Sequence, residues 1–344
     1  MNNEYHAKFI EFSEKGVVKV QTETVNPDNL GPTECIIQNE ASIISAGTEL
    51  ATLNSVLGDL TFPLRPGYGS IGRILEKGSE LNDFKVGDRV FYAGKHASIQ
   101  RFNHGEPHQW AYLFPIPEDL DPIEGTVGCM AEIAMTAPNL TDLRLGDTVV
   151  VFGLGMVGIL AAMLYQQRGA NVIGVDPVFH RCELAKKLGI QKVVDVSPDL
   201  QVDEILKITG GKGAEVTVDA AGHSSVIMNC IKTTALFGQV LLLGTARAPY
   251  QGNLTDAFHL IHTNNLTVRG AHMWQYPVEE QRGVSMDVKW AFKTIFELIS
   301  SGKINVKPLI SHIIKPEEAA VAYDGLQNKQ EEFTCAVIDW RSQT

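Results

Sequence analysis

Residues 147–158, DTVVVFGLGMVG, decide the fold because they join a buried strand to a glycine-rich turn and the start of a helix. The run Val149–Phe152 is continuously apolar, as is typical of a strand covered on both faces of a parallel sheet. The turn has the spacing G-x-G-x-x-G, which permits a tight turn, a close backbone approach to a pyrophosphate and close packing of the helix. At the N-terminus of that helix, backbone N–H groups face the phosphates. The residues predicted to form this dinucleotide site are Gly153, Gly155, Met156, Val157 and Gly158.

An acidic residue at the end of the next strand predicts which dinucleotide is bound. Asp176 closes the strand NVIGVD, about 20 residues after the glycines. Its carboxylate is expected to hydrogen-bond the adenosine ribose and to repel a 2′-phosphate, which favours NAD over NADP. Arg181 lies close by and would soften that preference. The alternative is a glycine-rich turn without a nucleotide, but here the strand, the helix and the acid are all in place.

A second G-x-G-x-x-G occurs at 67–72, within PLRPGYGSIGRI, and it lacks the required context. Pro63 and Pro66 precede it, and proline is unfavourable in a central strand. The residues that follow predict a strand and then a turn at Gly78, which leaves no room for a helix. This copy is therefore predicted not to bind phosphate.

The pattern of strands and helices changes twice along the chain. Residues 128–274 alternate between apolar strands and helices, which predicts an α/β domain with a doubly wound parallel Rossmann sheet. Residues 1–127 contain short strands and turns, and 275–344 contain a long amphipathic helix followed by a mixed tail. The parallel-sheet domain is thus predicted to be inserted in a β-rich domain formed by the two ends.

Composition and charge exclude several classes of partner. With 44% hydrophobic and 20% charged residues, the chain resembles an ordinary globular protein. Its net charge of −11 argues against nucleic acid and anionic membranes as partners. The N-terminus lacks a secretory pattern, and the five scattered cysteines form no C-x-x-C pair, so a cytoplasmic location is expected.

Several segments together resemble the medium-chain dehydrogenase/reductase superfamily, the alcohol and polyol dehydrogenases. They are ISAGTEL (44–50), RPGYGSIGRILEKGS (65–79), FKVGDRV (84–90), the cofactor block, LTVRGAHMW (266–274) and PLISHIIKPEEAAVAYDGL (308–326). The resemblance implies a GroES-like catalytic domain, a Rossmann domain with an active site in the cleft between them, and homodimers or homotetramers that pair near LTVRGAHMW. It also implies contacts from Ala271 and Met273 to the nicotinamide carboxamide. Gly244 and Thr245 close another strand at the edge of the sheet where such folds bind ligands.

The zinc ligands that this resemblance leads one to expect are largely replaced. Zinc-dependent members have His and Glu at the positions of Tyr68 and Gly69, and a ligating Cys at the position of Ala46. The third ligand position falls on or next to Cys129. A single candidate ligand does not form the usual three-ligand catalytic site, so no metal is expected.

Without zinc, a positioned side chain must handle the proton and the substrate oxygen. The resemblance aligns Thr48 with a hydroxyl that relays the substrate proton, although it also suits a turn after Gly47. Tyr68 either hydrogen-bonds the substrate oxygen or only fills the vacated metal cavity. Lys95 and His96 align with a turn that borders the cleft, and His96 is either an acid–base group or a structural residue. Glu49 is expected to be a structural hydrogen-bond acceptor.

Two histidine groups are weaker candidates. His104, Glu106 and His108 either bind a metal or, as we favour, lie on a loop at the rim of the substrate cleft. His259 and His262 lack the Glu of H-E-x-x-H and more plausibly mark a half-buried helix face.

The sequence therefore predicts a zinc-independent, NAD-linked oxidoreductase that interconverts a secondary alcohol and a ketone on a polar small molecule such as a sugar or cyclitol. Three alternatives stay open. They are a zinc-free enone or quinone reductase using NAD(P)H, a non-catalytic nucleotide-binding protein, and a zinc enzyme with unusual ligands.

Overall fold

The computed structural model describes residues 4–56, 58–105, 110–247 and 249–343. The chain divides into two compact units. The first contains the residues up to Cys129, Tyr276–Gly302 and the residues from Leu309 onward, and the second contains Met130–Gln275 and Lys303–Pro308. The sequence had suggested boundaries at 127/128 and 274/275. It gave no sign that the short segment 303–308 belongs with the second unit.

The second unit is built on six parallel strands in the order β10-β9-β8-β11-β12-β13. Numbered from β8, this is the order 3-2-1-4-5-6 of a Rossmann sheet, with the reversal of direction between β8 and β11. The strands are β8 (Thr148–Phe152), β9 (Asn171–Val175), β10 (Lys192–Val194), β11 (Ala214–Asp219), β12 (Thr234–Leu242) and β13 (Thr267–Gly270). The helices between them are α4 (Met156–Gln167), α5 (Phe179–Lys187), α6 (Gln201–Ile208), α7 (Ser224–Thr233) and α8 (Leu254–Thr263).

The core of this unit follows from the apolar runs in the sequence. Val149, Val150, Val151 and Phe152 are all at most 1% exposed, as expected for a strand covered on both faces. The prediction of an α/β Rossmann sheet is confirmed.

The first unit is β-rich, as the GroES-like prediction requires. Its larger sheet has the order β14-β15-β3-β4-β5-β7, with β6 also paired to β3, and β1 and β2 form a separate antiparallel pair. The strands are β1 (Tyr5–Glu14), β2 (Val17–Val25), β3 (Glu34–Ile43), β4 (Ser70–Lys77), β5 (Arg89–Tyr92), β6 (Ile99–Asn103), β7 (Leu113–Pro115), β14 (His312–Ile314) and β15 (Ala336–Asp339). The helices are α1 (Ala46–Leu53), α2 (Pro122–Thr126), α9 (Val288–Ser300) and α10 (Ala319–Asn328). One further helix, α3 (Gly128–Leu140), begins in the first unit and continues into the second.

The C-terminal segment is an integral part of the first unit. Strand β15 pairs with β3, and a core cluster joins Ile10 and Phe12 of β1 to Tyr323 of α10 and to Trp340. Within the described residues, no helix is both long and apolar enough to cross a lipid bilayer.

Helix α3 buries a carboxyl group in the second unit. Glu132 is 3% exposed, and its Oε2 has no hydrogen-bond partner among the described residues. Burial raises the pKa of this carboxyl from 4.5 to about 8, because the charged form loses its hydration. The folded protein therefore holds this proton over a pH range in which the unfolded chain releases it.

This carboxyl predicts a pH dependence of stability. Below about pH 4.5 the carboxyl is protonated in both the folded and the unfolded state, so it does not lower the free energy of unfolding. Because the folded-state pKa is raised, the free energy of unfolding then declines as the pH rises toward 8. Replacing Glu132→Gln removes the ionisable group and keeps the shape. We expect the melting temperature of the parent protein to fall by about 5 °C or more between pH 6 and pH 8, and that of E132Q to fall clearly less. Melting curves across this pH range provide the check, and parallel pH profiles for the two proteins would contradict the assignment.

Candidate active site and cofactor site

The glycines of the second unit occupy the places that a dinucleotide turn requires. Gly153 has φ +94°, and a Cβ there would lie 2.8 Å from the backbone N of Ala221. A Cβ on Gly158 would lie 1.8 Å from the carbonyl O of Gly153, so only glycine lets the helix start so close to the strand. Gly155 is the N-cap of α4, and the space around its Cβ position is open. That space adjoins the unpaired N–H groups of the first helical turn, which suits a phosphate.

Four other predicted cofactor residues follow the carboxyl ends of strands β12 and β13 in the same sheet. Gly153 after β8 and Ala221 after β11 meet where the strand order reverses, which is the usual place for a ligand in such sheets. The N–H of Gly244 donates to the carbonyl of Asp219 (2.7 Å), and exposed Thr245 follows it. After β13, Ala271 and Met273 are buried at 3% and 6% exposure.

Asp176 is bonded to the turn itself. Its Oδ2 accepts the N–H of Leu154 (2.7 Å), and its Oδ1 accepts the N–H of Val178 (2.8 Å). Arg181 Nη1 lies 3.6 Å from Oδ2, and the carboxylate residue is only 2% exposed. The hydrogen bond to Leu154 therefore holds the backbone of the glycine turn in place. The sequence motif alone does not predict this role of Asp176. Arg181 balances its charge, so the repulsion expected for a 2′-phosphate is reduced.

Asp219, at the end of β11, was missed by the sequence analysis. Its Oδ1 accepts the N–H groups of Ala221 and Gly222 (both 3.0 Å), whereas its buried Oδ2 has no partner among the described residues. Burial raises the pKa of this carboxyl, and the two backbone hydrogen bonds oppose the shift. The only available signal was its position at the end of the strand EVTVD.

The first unit builds a hydrogen-bond network around one buried carboxylate, and the predicted catalytic residue His96 belongs to it. Glu49 lies in the first turn of α1 and is 3% exposed. Its Oε1 accepts the N–H of Ser45 (3.0 Å). Its Oε2 accepts the hydroxyl of Tyr323 and the Nε2–H of His96 (3.1 Å). Three donors surround the carboxylate, as a buried charge requires.

The tautomer of His96 follows from its neighbours. The indole N–H of Trp340 donates to Ser42 Oγ (2.9 Å), so the Ser42 hydroxyl can donate to His96 Nδ1 (2.8 Å). The proton on the ring then sits on Nε2 and points at Glu49. His96 is 0% exposed and both of its nitrogens are engaged. These contacts favour the structural alternative for His96, that of orienting Glu49.

Tyr68 lies half-buried beside this network. Its hydroxyl donates to Ser45 Oγ and is also hydrogen-bonded by Thr48, which is exposed in the first turn of α1. Burial raises the pKa of Tyr68 well above its usual value, and the charge of Glu49 adds to the shift. The side chain is therefore a neutral phenol that can donate a hydrogen bond, and it is not a base at neutral pH.

Lys95 is the remaining predicted catalytic residue, and it lies next to the turn that carries Tyr68. Loss of hydration lowers its pKa, while Glu49 opposes the shift, and the side chain still reaches solvent. Gly67, with φ +104°, is needed here because a Cβ would lie 2.6 Å from the backbone N of His96.

The positions aligned with zinc ligands do not form a suitable donor set. A Cβ on Gly69 would lie 2.9 Å from Cys129 Sγ, so the thiol packs directly against the glycine. Tyr68 and Ala46 provide no thiolate or imidazole. Over the described residues, which exclude Glu106 and His108, there is no group of three or more His, Cys, Asp or Glu side chains that could hold a metal ion. Of the three aligned positions, only Cys129 therefore carries a side chain that can ligate zinc.

The weaker histidine candidates are not brought together. Glu106 and His108 lie outside the described residues, and His104 Nδ1 donates to the carbonyl of Ala111 (2.7 Å). His259 and His262 are both exposed on α8, so the expected half-buried helix face does not include them.

The fold and the glycine turn together define a protein that carries a Rossmann unit. Residues 156–288 match the zinc-binding dehydrogenase family. Sorbitol dehydrogenase 1 of Saccharomyces cerevisiae is 28% identical over 77% of this chain and 78% of its own length. D-guloside 3-dehydrogenase of Escherichia coli is 27% identical over 71% of this chain and 68% of its own. A provisionally assigned zinc-binding dehydrogenase from Sinorhizobium meliloti bound to NADP has the same fold, with a TM-score of 0.79, 20% identity and coverage of 97% of this chain and 99% of that one.

These matches support membership of the medium-chain dehydrogenase/reductase superfamily and an oxidoreductase activity.

Two glycine substitutions separate cofactor binding from folding. Gly155→Val adds a side chain in the open space beside the helix N-terminus, where its Cβ meets no atom within 4 Å, so we expect a melting temperature within a few degrees of the parent. Its affinity for a nicotinamide dinucleotide should fall at least about tenfold because the side chain occupies the phosphate position. Gly158→Ala should instead lose stability, since its Cβ meets a carbonyl. Fluorescence titration and thermal melts measure both, and unchanged affinity in G155V would place the phosphates elsewhere.

Proposed function

We propose that this protein is a zinc-independent, NAD-linked oxidoreductase that interconverts a secondary alcohol and a ketone on a polar small molecule such as a sugar or cyclitol. The observation that carries the proposal is the hydroxyl of Tyr68, which is held by Ser45 at the position that the family resemblance aligns with a zinc ligand. The sorbitol and D-guloside dehydrogenases among the relatives support a polyhydroxylated substrate.

In this proposal Tyr68 replaces the Lewis acid. A bound nicotinamide supplies the hydride to the ketone or accepts it from the alcohol. When the substrate binds, the Tyr68 hydroxyl turns its single proton from Ser45 Oγ to the substrate oxygen and stabilises the negative charge that develops there, while the Ser45 hydroxyl donates to the phenol oxygen instead. The raised pKa keeps this phenol protonated, so it is suited to polarise a carbonyl.

The proton follows a chain of hydroxyl groups. In the reductive direction, Tyr68 delivers a proton to the alkoxide oxygen and recovers one through Ser45 or Thr48. The side chain of Thr48 faces solvent. In the oxidative direction the same hydroxyls carry the proton outward. Lys95 lies on the neighbouring turn, and the lowering of its pKa increases the small fraction of the neutral amine that can accept this proton.

Asp176 supports NAD as the cofactor, and Arg181 leaves room for some use of NADP. The decisive assay measures nicotinamide reduction and oxidation at 340 nm with NAD(H) and NADP(H) on a panel of cyclic and open-chain polyols and their ketones. Each assay is run with and without a strong zinc chelator. We expect turnover with NAD(H), slower turnover with NADP(H), and no loss of rate with the chelator. Inactivation by the chelator, with recovery on adding zinc, would refute zinc independence.

The interaction partners are proposed on the same basis. A small molecule is the substrate, with no role for nucleic acid or membranes. A homodimer or homotetramer would form at β13, whose residues Thr267–Gly270 are all exposed at the edge of the sheet. The five cysteines are all buried and none of them forms a disulfide, in keeping with a cytoplasmic protein.

Replacing Tyr68→Phe tests the catalytic role directly. It removes the hydroxyl and keeps the ring that packs against Trp110. We expect kcat to fall about 100- to 1000-fold, as on loss of a donor to a developing oxyanion, with little change in melting temperature. The matched control is Tyr5→Phe, which removes a hydroxyl bonded to Glu76 on the same unit and should leave kcat unchanged. A Y68F enzyme as fast as the parent would show that the phenol only fills space.

A further inference from the structure

Three turns of the second unit meet, backbone against backbone, at the carboxyl ends of strands β8, β11 and β12. A Cβ on Gly153 after β8 would lie 2.8 Å from the backbone N of Ala221 after β11. A Cβ on Gly222 would lie 2.4 Å from the carbonyl O of Thr245 after β12. The turn after β11 (residues 220–222), which we call the middle turn, therefore touches the turns on both sides of it.

Asp219 holds the middle turn in one conformation. Its Oδ1 accepts the N–H groups of Ala221 and Gly222, both at 3.0 Å, in the manner of an Asx turn. Its backbone carbonyl accepts the N–H groups of Leu243 (2.9 Å) and Gly244 (2.7 Å), which belong to the end of β12 and the turn that follows it. One residue thus bonds to two of the three turns.

The burial of Asp219 indicates a function other than stability. The residue is 0% exposed, and its Oδ2 has no hydrogen-bond partner among the described residues. A buried polar atom without a partner costs free energy, and proteins accept such costs mainly at functional sites. Ala221, which Asp219 holds next to Gly153, is exposed. The carboxyl group therefore lies behind the middle turn, while the turn itself reaches the surface beside the glycine turn.

The middle turn lies where a dinucleotide is expected to bind. The strand order reverses between β8 and β11, and ligands of such sheets bind in the crevice at that point. A loosely held turn would have to become ordered when the ligand binds, and that ordering lowers the affinity. A turn that is already fixed avoids this loss, so a residue behind the turn can raise the affinity without touching the ligand.

We propose that Asp219 is a positioning residue for the dinucleotide, which holds the middle turn against Gly153 so that the crevice is formed before the cofactor binds. The inference rests on the nicotinamide cofactor of the proposed function, but it does not depend on the alcohol reaction. Binding of NADH can therefore test it without turnover.

Three variants at position 219 weaken the hold on the middle turn by different amounts. Asp219→Ala removes both hydrogen bonds, and we expect the Kd for NADH to rise at least about tenfold in a fluorescence titration. Asp219→Asn keeps an oxygen at the same place and should stay within about threefold of the parent. Asp219→Ser offers a shorter acceptor and should fall between D219N and D219A, which also provides the test should D219A fold poorly.

Thr217→Val is the matched control on the same strand. Thr217 lies two residues before Asp219, is 0% exposed and shares a hydrogen bond with the Thr234 hydroxyl (2.7 Å). T217V therefore loses a buried hydrogen bond and some thermal stability, but its Kd for NADH should stay within about twofold of the parent. Hydrogen-exchange mass spectrometry of the ligand-free proteins should show faster exchange over residues 220–223 in D219A and no change there in T217V.

The outcomes distinguish this inference from the proposed function. Weaker NADH binding in D219A and D219S, rescue in D219N and unchanged binding in T217V support it. An equal loss of affinity in D219A and T217V would show that Asp219 only stabilises the fold. No NADH binding by the parent, parent-like binding by D219A and D219S, or weaker binding without faster exchange over 220–223 also overturns it. If the parent binds NADH but converts no polyol or ketone, the proposed reaction fails, whereas the same losses of affinity still support the role of Asp219.

Discussion

The buried carboxylate of Glu49 organises the first unit around the candidate catalytic phenol. A charge that is 3% exposed must be matched by donors, and here they come from three distant parts of the sequence. Ser45 begins α1, His96 follows β5, and Tyr323 lies in the C-terminal helix α10. The carboxylate therefore joins the two ends of the chain into one unit and places Ser45 where it can hold the Tyr68 hydroxyl. In this account Glu49 acts on the reaction only through the residues that it positions.

The two G-x-G-x-x-G stretches show how the same letters serve different physical needs. In the second unit, Gly155 leaves open space at a helix N-terminus, where a phosphate fits. In the first unit, Gly69 and Gly72 are forced by crowding. A Cβ on Gly69 would meet the Cys129 thiol, and one on Gly72 would lie 2.4 Å from the carbonyl O of Gln38. The chain then continues as β4 and not as a helix, which confirms that the first copy is no nucleotide turn.

What the sequence could predict depends on the range of the interactions. The strand Val149–Phe152, the glycine turn and Asp176 form a local sequence pattern, so the Rossmann unit could be predicted from the sequence. The network around Glu49 was not, because Tyr323 is 274 positions away along the chain and no local pattern marks it. The role of His96 could not be predicted from the sequence either. Its residue type suggested acid–base chemistry, and only its tertiary contacts reveal that both nitrogens are engaged. Asp219 was also missed, since its contacts with the turn after β12 arise only in the folded sheet.

In the proposed mechanism, the phenol of Tyr68 stands at the position of a metal ligand and takes over its role. The most direct test of this mechanism is a crystal structure with NAD(H) and a bound alcohol or ketone from the active panel, recorded with anomalous data at the zinc edge. The account predicts the Tyr68 hydroxyl oxygen at about 2.6–3.2 Å from the substrate oxygen, with no anomalous peak nearby. A metal peak beside Cys129 with the substrate oxygen bound to it would contradict the account.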